Sequence, residues 1–138
     1  IRKAHEAKQR GDKELVVWGT GTPRREFLYS DDMADACVAL LQLDEARYGS
    51  AIGTYPPLFN IGSGTDVTIR ELGELVCEVV GFKGALQFDT SKPDGTPRKL
   101  MDVSRMTRLG WTPAVAMRDG VRMAYEELKS EMFVPSRA

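Results

Sequence analysis

The chain has 138 residues, of which 42% are hydrophobic and 28% charged, as is usual for one globular domain with a buried core. Its 19 basic and 20 acidic residues give a formal net charge of −1, which excludes an overall positive field that would attract nucleic acid or an anionic membrane. Two cysteines and one histidine argue against a structural zinc site, and no apolar run is long enough to span a bilayer. We expect a protein without a signal peptide that works in a reducing cytoplasm.

The first residues favour a helix over 1–11 that stops at Gly11, a residue suited to the left-handed conformation of a helix end. The β-rich run Leu15–Trp18 predicts a short strand, which the Gly/Thr/Pro turn at 19–23 ends, and residues 26–29 predict a second one. Because the chain begins within what looks like the later part of a helix, we expect it to be the C-terminal piece of a longer protein.

A helix is predicted next, from the acidic N-cap residues Asp31 and Asp32 to about Glu45. The spacing of its apolar residues predicts one buried stripe, formed by Met33, Cys37, Leu40 and Leu41. The following segment, 46–57, is rich in glycine, proline and tyrosine and predicts an exposed loop.

The second half alternates strands and helices. Strands are predicted over 58–61 and 85–88, and helices over 69–80, 104–109 and 117–132. Thr68 and Glu71 form a capping-box pattern in front of the first of these helices, which Gly81 ends.

This alternation predicts an α/β fold. The strands are too few and too short for a complete doubly wound sheet, so we expect a subdomain that leans on a partner outside this chain. We expect the tail at 135–138 to be disordered.

The sequence offers little catalytic chemistry. Gly19-x-Gly21 and Gly62-x-Gly64 both lack the third glycine of a dinucleotide-binding loop. Tyr29, Tyr48 and Tyr55 have no lysine four residues later, although Tyr125 has Lys129 at that spacing. The one histidine, His5, does not support a Ser/His/Asp set. Asp31 and Asp32 leave a hydrolytic carboxylate pair open, but their place at a helix N-cap favours a structural role. We expect no catalytic residue, no cofactor-binding residue and no metal ligand in this chain.

Binding chemistry is better represented. The loop Pro93–Lys99 contains two prolines that fix its backbone and so hold Asp94, Arg98 and Lys99 in place. Trp18 offers a flat surface for stacking, and Arg25 a guanidinium that can bind phosphate through two hydrogen bonds. Together these groups, with charge added by Lys3, suit a ligand that has a ring, a diphosphate and a sugar.

The alternative interpretations are structural. The loop 93–99 can be a surface turn whose charges face water. Trp18 can be a core or interface residue, Arg25 can form a weak surface pair with Glu26, and Lys3 can be a solvated helix residue.

Four segments carry a family resemblance, and they are Val17–Asp32, Asn60–Gly64, Thr68–Glu71 and Leu109–Pro113. They resemble the substrate domain of epimerases in the extended short-chain dehydrogenase/reductase family. The loop Ser91–Lys99, SKPDGTPRK, is more specific and resembles the GDP-L-fucose synthase family. The resemblance covers nearly the whole chain.

The resemblance implies an NADP-dependent reaction on GDP-4-keto-6-deoxy-D-mannose, with epimerisation at C3 and C5 followed by reduction at C4. It implies that Lys3, Trp18, Arg25, Asp94 and Lys99 contact the substrate. It makes residues 1–134 a substrate-binding subdomain and places the catalytic residues and the NADP(H) loop in an upstream Rossmann-type domain of the same enzyme. It also implies a homodimer for the complete protein. This chain by itself is expected to lack catalysis.

Two other functions stay open at this point. One is the substrate domain of a UDP- or dTDP-sugar epimerase or dehydratase. The other is a stand-alone protein-interaction module that binds through apolar faces.

Overall fold

The structure, a computed structural model, describes residues 1–53, 56 and 58–132. The chain divides into two compact units. The first unit consists of Ile1–Pro23, Val67–Pro97 and the chain from Arg118 onward, and the second consists of Arg24–Asp66 and Arg98–Met117.

Short strands alternate with helices along the described chain. The helices are α1 (Arg2–Arg10), α2 (Ser30–Leu41), α3 (Glu45–Ile52), α4 (Ile69–Val80), α5 (Ser104–Arg108) and α6 (Met117–Met132). The strands are β1 (Glu14–Trp18), β2 (Arg24–Glu26), β3 (Asp66–Thr68), β4 (Ala85–Asp89) and β5 (Arg98–Lys99).

The first unit is built on a parallel strand pair. β1 and β4 pair in register from Glu14 opposite Ala85 to Trp18 opposite Asp89. Ala4 of α1, Val80 of α4 and Tyr125 of α6 form the buried core of this unit. A parallel pair with this register brings the carboxyl ends of both strands, and the loops that follow them, to the same edge.

Local signals explain the helices of the first unit. The Thr68 hydroxyl accepts a hydrogen bond from Glu71 N at 3.0 Å while the Glu71 carboxylate accepts one from Thr68 N at 2.7 Å. This reciprocal pair satisfies backbone donors at the start of α4. Gly11 and Gly81 end α1 and α4 at φ 71° and 76°, the left-handed region that glycine enters without a steric cost. The predictions for both helix ends and for the capping box are confirmed.

The second unit contains the parallel strand pair of β2 and β5. Asp32 of α2 is buried, and its carboxylate accepts hydrogen bonds from Ala114 N at 3.1 Å and Val115 N at 3.0 Å. Asp32 was expected to cap α2, but the helix begins after Tyr29 without a side-chain cap bond. The carboxylate instead fixes the chain that leads from α5 towards α6.

The predicted buried stripe of α2 is wrong. Met33, Cys37 and Leu41 are exposed, Leu41 at 86%, whereas Asp32 and Ala36 are the buried positions. The stripe was inferred from apolar spacing, but the hydrogen bonds of Asp32 turn a different face of the helix inward.

Three local predictions also need correction. Residues 46–52 form most of α3 rather than a loop, because the Asp44 carboxylate accepts a hydrogen bond from Arg47 N at 2.8 Å and caps a new helix. The strand expected over 26–29 is β2, two residues earlier. Residues 58–61 do not form the predicted strand.

The predicted tail at 135–138 lies outside the described residues, and so does residue 134, the predicted domain boundary. In the part of the chain that the structure describes, no helix is long and apolar enough to cross a membrane.

Candidate functional site

An exposed tryptophan stands at the end of β1. The Trp18 side chain is 68% exposed, so the alternative that it belongs to the core is wrong. The Nζ atoms of Lys3 and Lys92 lie 5.7 and 5.9 Å from the centroid of its ring. At these distances an ammonium group is attracted to the negative face of the ring. The first unit thus presents a flat apolar surface flanked by two cations.

The loop that carries Asp94 is tied to the turn after Trp18. The Asp94 carboxylate accepts hydrogen bonds from Thr20 N at 2.9 Å and from the Thr20 hydroxyl at 2.7 Å. These two bonds, the hydroxyl bond first, hold the pKa of Asp94 below its usual range because they stabilise the charged form. Asp94 therefore fixes the loop in place beside the exposed indole.

Gly19 shows how closely the loop and the turn approach each other. Its φ is 84°, and a Cβ built on it would overlap the Asp94 carboxylate. Gly19 N also donates to Asp89 O at 2.9 Å, which continues the β1–β4 pairing by one bond. A side chain at residue 19 would have to displace Asp94 from Thr20.

An open cavity of about 390 Å³ lies next to this surface within the first unit. Trp18 and Lys3 line its edge, and apolar side chains from β1 and α4 line most of the rest. Its volume is within the range of small-molecule sites.

The second unit holds the remaining predicted residues on β2 and β5. Arg24 lies opposite Arg98, and Arg25 lies opposite Lys99. Because successive side chains of a strand point to opposite faces, Arg25 and Lys99 share one face of this strand pair. The structure therefore brings these two predicted cations together.

The other face of the pair holds a shared carboxylate. Asp66, whose side chain is 5% exposed, binds Arg24 Nε at 2.9 Å and Arg98 Nε at 2.5 Å. Hydrogen bonds from Arg98 and then Arg24 hold the pKa of Asp66 below its usual range. Arg98, which the sequence analysis considered as a ligand-binding residue of the loop, is thus paired with Asp66.

Glu26 organises the loops around β2. Its carboxylate accepts hydrogen bonds from Gly64 N at 2.6 Å and Met101 N at 3.0 Å. Arg25 donates to Arg24 O at 2.6 Å, and within the described residues it forms no ion pair with Glu26. The surface pair weighed as an alternative is therefore absent from this part of the chain.

Sequence reasoning missed Lys92 as a neighbour of Trp18, and it missed the positioning roles of Asp66 and Glu26. Lys92 stands directly before Pro93 in the loop that the sequence singled out, so its place in the chain was a usable signal. Nothing in the spacing of Asp66 or Glu26 indicates their partners, which are 32 or more positions away in the chain and come into contact only on folding. Among the described residues, no group of three or more His, Cys, Asp or Glu side chains is placed to hold a metal ion.

Comparison with known proteins identifies the class first. Residues 1–62 match the NAD dependent epimerase/dehydratase family. The α/β fold agrees with a solved structure, the "GDP-mannoheptose C4 reductase from Campylobacter jejuni with NADP bound", at a TM-score of 0.78 and 38% identity, over 93% of this chain and 42% of that one. The predicted α/β fold class is confirmed, and the predicted resemblance to Rossmann-type epimerases of the extended short-chain dehydrogenase/reductase family agrees with these matches.

The more particular resemblance is to GDP-L-fucose synthases. The chain is 58% identical to GDP-L-fucose synthase 1 of Arabidopsis thaliana over 91% of its own length and 36% of that protein. It is 45% identical to GDP-L-fucose synthase of Escherichia coli K12 over 91% of its own length and 39% of that protein. The predicted resemblance is confirmed, and the chain spans a little over a third of the length of these relatives.

Proposed function

We propose that this chain is the nucleotide-sugar-binding portion of an NADP-dependent GDP-L-fucose synthase, over residues 1–134. The observation that carries the proposal is the exposed Trp18 ring, with the Lys3 ammonium 5.7 Å from its centroid and the Asp94 loop tied to the next turn. The resemblance to GDP-L-fucose synthases supports a GDP-sugar as the ligand.

Each predicted residue has a chemical role in this proposal. Trp18 stacks on a ring of the ligand, and Lys3 supplies positive charge beside it. Arg25 and Lys99, which share one face of the β2–β5 pair, bind phosphate oxygens. Asp94 contacts the ligand from the loop, through lone pairs that its bonds to Thr20 leave free.

The share of this chain in the reaction is positioning. In the complete enzyme, C3 and C5 are epimerised and the C4 ketone of GDP-4-keto-6-deoxy-D-mannose is reduced by hydride from NADPH. Holding the diphosphate and the base fixes the sugar, and orientation of this kind lowers a barrier by several kcal/mol, up to about 7–11 in the best cases. The sequence contains no Gly-x-Gly-x-x-Gly loop. As part of the proposal we assign the cofactor and the catalytic residues to an upstream domain, which also supplies the homodimer interface, and we place the complete enzyme in the cytoplasm.

Calorimetric titration with GDP-mannose, a stable GDP-sugar, tests the proposal. We expect the chain to bind it, and Arg25→Ala to weaken binding at least about tenfold because a charged hydrogen bond to phosphate is lost. Arg122→Ala is the matched control, since Arg122 is an exposed arginine of α6 paired with Asp119, and it should leave the affinity unchanged.

Three results would contradict the proposal. A preference for UDP over GDP would favour the substrate domain of a UDP-sugar enzyme. Self-association with no response to either nucleotide would favour the protein-interaction module. Equal affinity of wild type and Arg25→Ala would show that Arg25 does not bind the ligand.

A further inference from the structure

The residues before and after Lys92 fix its backbone. Before it, Asp89 accepts hydrogen bonds from Ser91 N at 3.0 Å and the Ser91 hydroxyl at 2.6 Å, and Lys92 N donates to Asp89 O at 3.2 Å. After it, Pro93 fixes the backbone and Asp94 is bound to Thr20. The backbone of Lys92 is therefore fixed at the edge of β4, next to the end of β1.

The ammonium group of Lys92 forms no ion pair with any described residue. The nearest carboxylates in sequence, Asp89 and Asp94, accept hydrogen bonds from Ser91 and Thr20. The same holds for Lys3, which forms no ion pair with any described residue. The contact that the structure gives each lysine is the Trp18 ring.

Two ammonium groups lie beside one ring, and neither forms an ion pair with a described residue. Both Nζ atoms are within 6 Å of the same centroid, so a negative group bound near the ring is attracted to both. A diphosphate offers several acceptor oxygens, enough to serve both ammonium groups, and an attached ring can cover the indole.

We propose that Lys92 is a second ammonium ligand, beside Lys3, for the diphosphate of the ligand that covers Trp18. This assignment rests on the proposed function and adds a residue that the sequence did not indicate. In this assignment Lys92 binds the negative charge of the diphosphate and takes no part in recognising the base.

The experiment compares three probes, which are guanosine, GDP and inorganic pyrophosphate, in calorimetric titrations of the 138-residue chain. We expect Lys92→Gln to weaken GDP and pyrophosphate about fivefold to tenfold, the loss typical of one exposed charge-assisted hydrogen bond. Guanosine, which has no phosphate, should bind the variant and the wild type equally. Lys92→Arg should restore most of the affinity for GDP.

Lys83→Gln is the matched control. Lys83 is an exposed lysine of the same unit, in the turn between α4 and β4, and its replacement should not change the affinity for any probe. Thermal unfolding of each variant shows that the comparison is made between folded proteins.

The outcomes separate this proposal from the proposed function. If the wild type binds GDP and Lys92→Gln binds it equally well, the assignment of Lys92 is overturned while the proposed function stands. An equal loss for guanosine and GDP would also overturn it, because a charge ligand cannot act on a neutral probe. If the wild type binds neither GDP nor pyrophosphate, both proposals fail.

Discussion

Asp94 and Gly19 illustrate how single residues shape the candidate site. The Asp94 carboxylate receives two hydrogen bonds from Thr20, and the absence of a side chain at Gly19 leaves the space that the carboxylate occupies. The carboxylate is therefore an anchor for the loop that precedes Lys99 as well as a candidate ligand group.

The role of Gly19 can be measured by replacing it with alanine. Gly19→Ala carries the cost of a left-handed alanine, about 1–2 kcal/mol, plus the loss of the Thr20–Asp94 bonds. Gly11→Ala is the matched control, since Gly11 has φ 71° but nothing within 4 Å of the added Cβ. Chemical denaturation should show a clearly larger loss of unfolding free energy for Gly19→Ala.

A double variant makes the test specific. In the Asp94→Ala background the added methyl group no longer meets a carboxylate, so Gly19→Ala should cost about as much as Gly11→Ala. An unchanged penalty for Gly19→Ala in that background would show that the contact with Asp94 is not the cause.

The elements were predictable where local chemistry decides their ends. The capping box of α4 and the glycines after α1 and α4 are short-range signals, so these helices were predicted to within one residue or better. The buried face of α2 was predicted wrongly because it depends on Asp32, whose partners Ala114 and Val115 are 82 and 83 positions away. α3 was missed although Asp44 is a recognisable cap, because the glycine and tyrosine content of the segment outweighed it.

The β2–β5 pair depends on a carboxylate that sequence reasoning did not single out. Asp66 binds Arg24 and Arg98 on one face of the pair, and Arg25 and Lys99 lie on the other. Since Arg98 is bound in this way, its neighbour Lys99 is fixed beside Arg25. The position of two candidate ligands thus follows from an ion pair on the opposite face.

Asp66 should make stability depend on pH. Its pKa lies below the ordinary value of 3.8 in the folded chain, through hydrogen bonds from Arg98 and then Arg24. A carboxylate with a lowered pKa contributes its full stability above the ordinary pKa and loses it as the pH falls through the folded one. Thermal unfolding between about pH 6 and pH 3 should therefore show a smaller acid-dependent loss for Asp66→Asn than for wild type.

Asp119→Asn is the control, because it removes a carboxylate whose side chain is 55% exposed. Its pH profile should follow that of wild type. Parallel profiles for wild type and Asp66→Asn would show that the ion pairs of Asp66 do not hold the β2–β5 pair together.

At the scale of the whole molecule, the candidate residues fall into two groups. Lys3, Trp18 and Asp94 belong to the first unit, and Arg25 and Lys99 belong to the second. The sequence predicted all five from a family resemblance, and the structure accounts for the placement of each group within its own unit. The chain also spans a little over a third of the length of the relatives it matches.

The most direct test follows the two tryptophans of the chain by their indole N–H signals in a ¹H–¹⁵N spectrum. Trp111 Nε1 donates to Asp35 at 2.8 Å in the second unit and provides an internal reference. On titration with GDP-mannose we predict that the Trp18 signal shifts in a saturable way while the Trp111 signal stays in place. A Trp18 signal that does not move, or a shift confined to Trp111, would contradict the claim that the exposed indole receives a nucleotide-sugar.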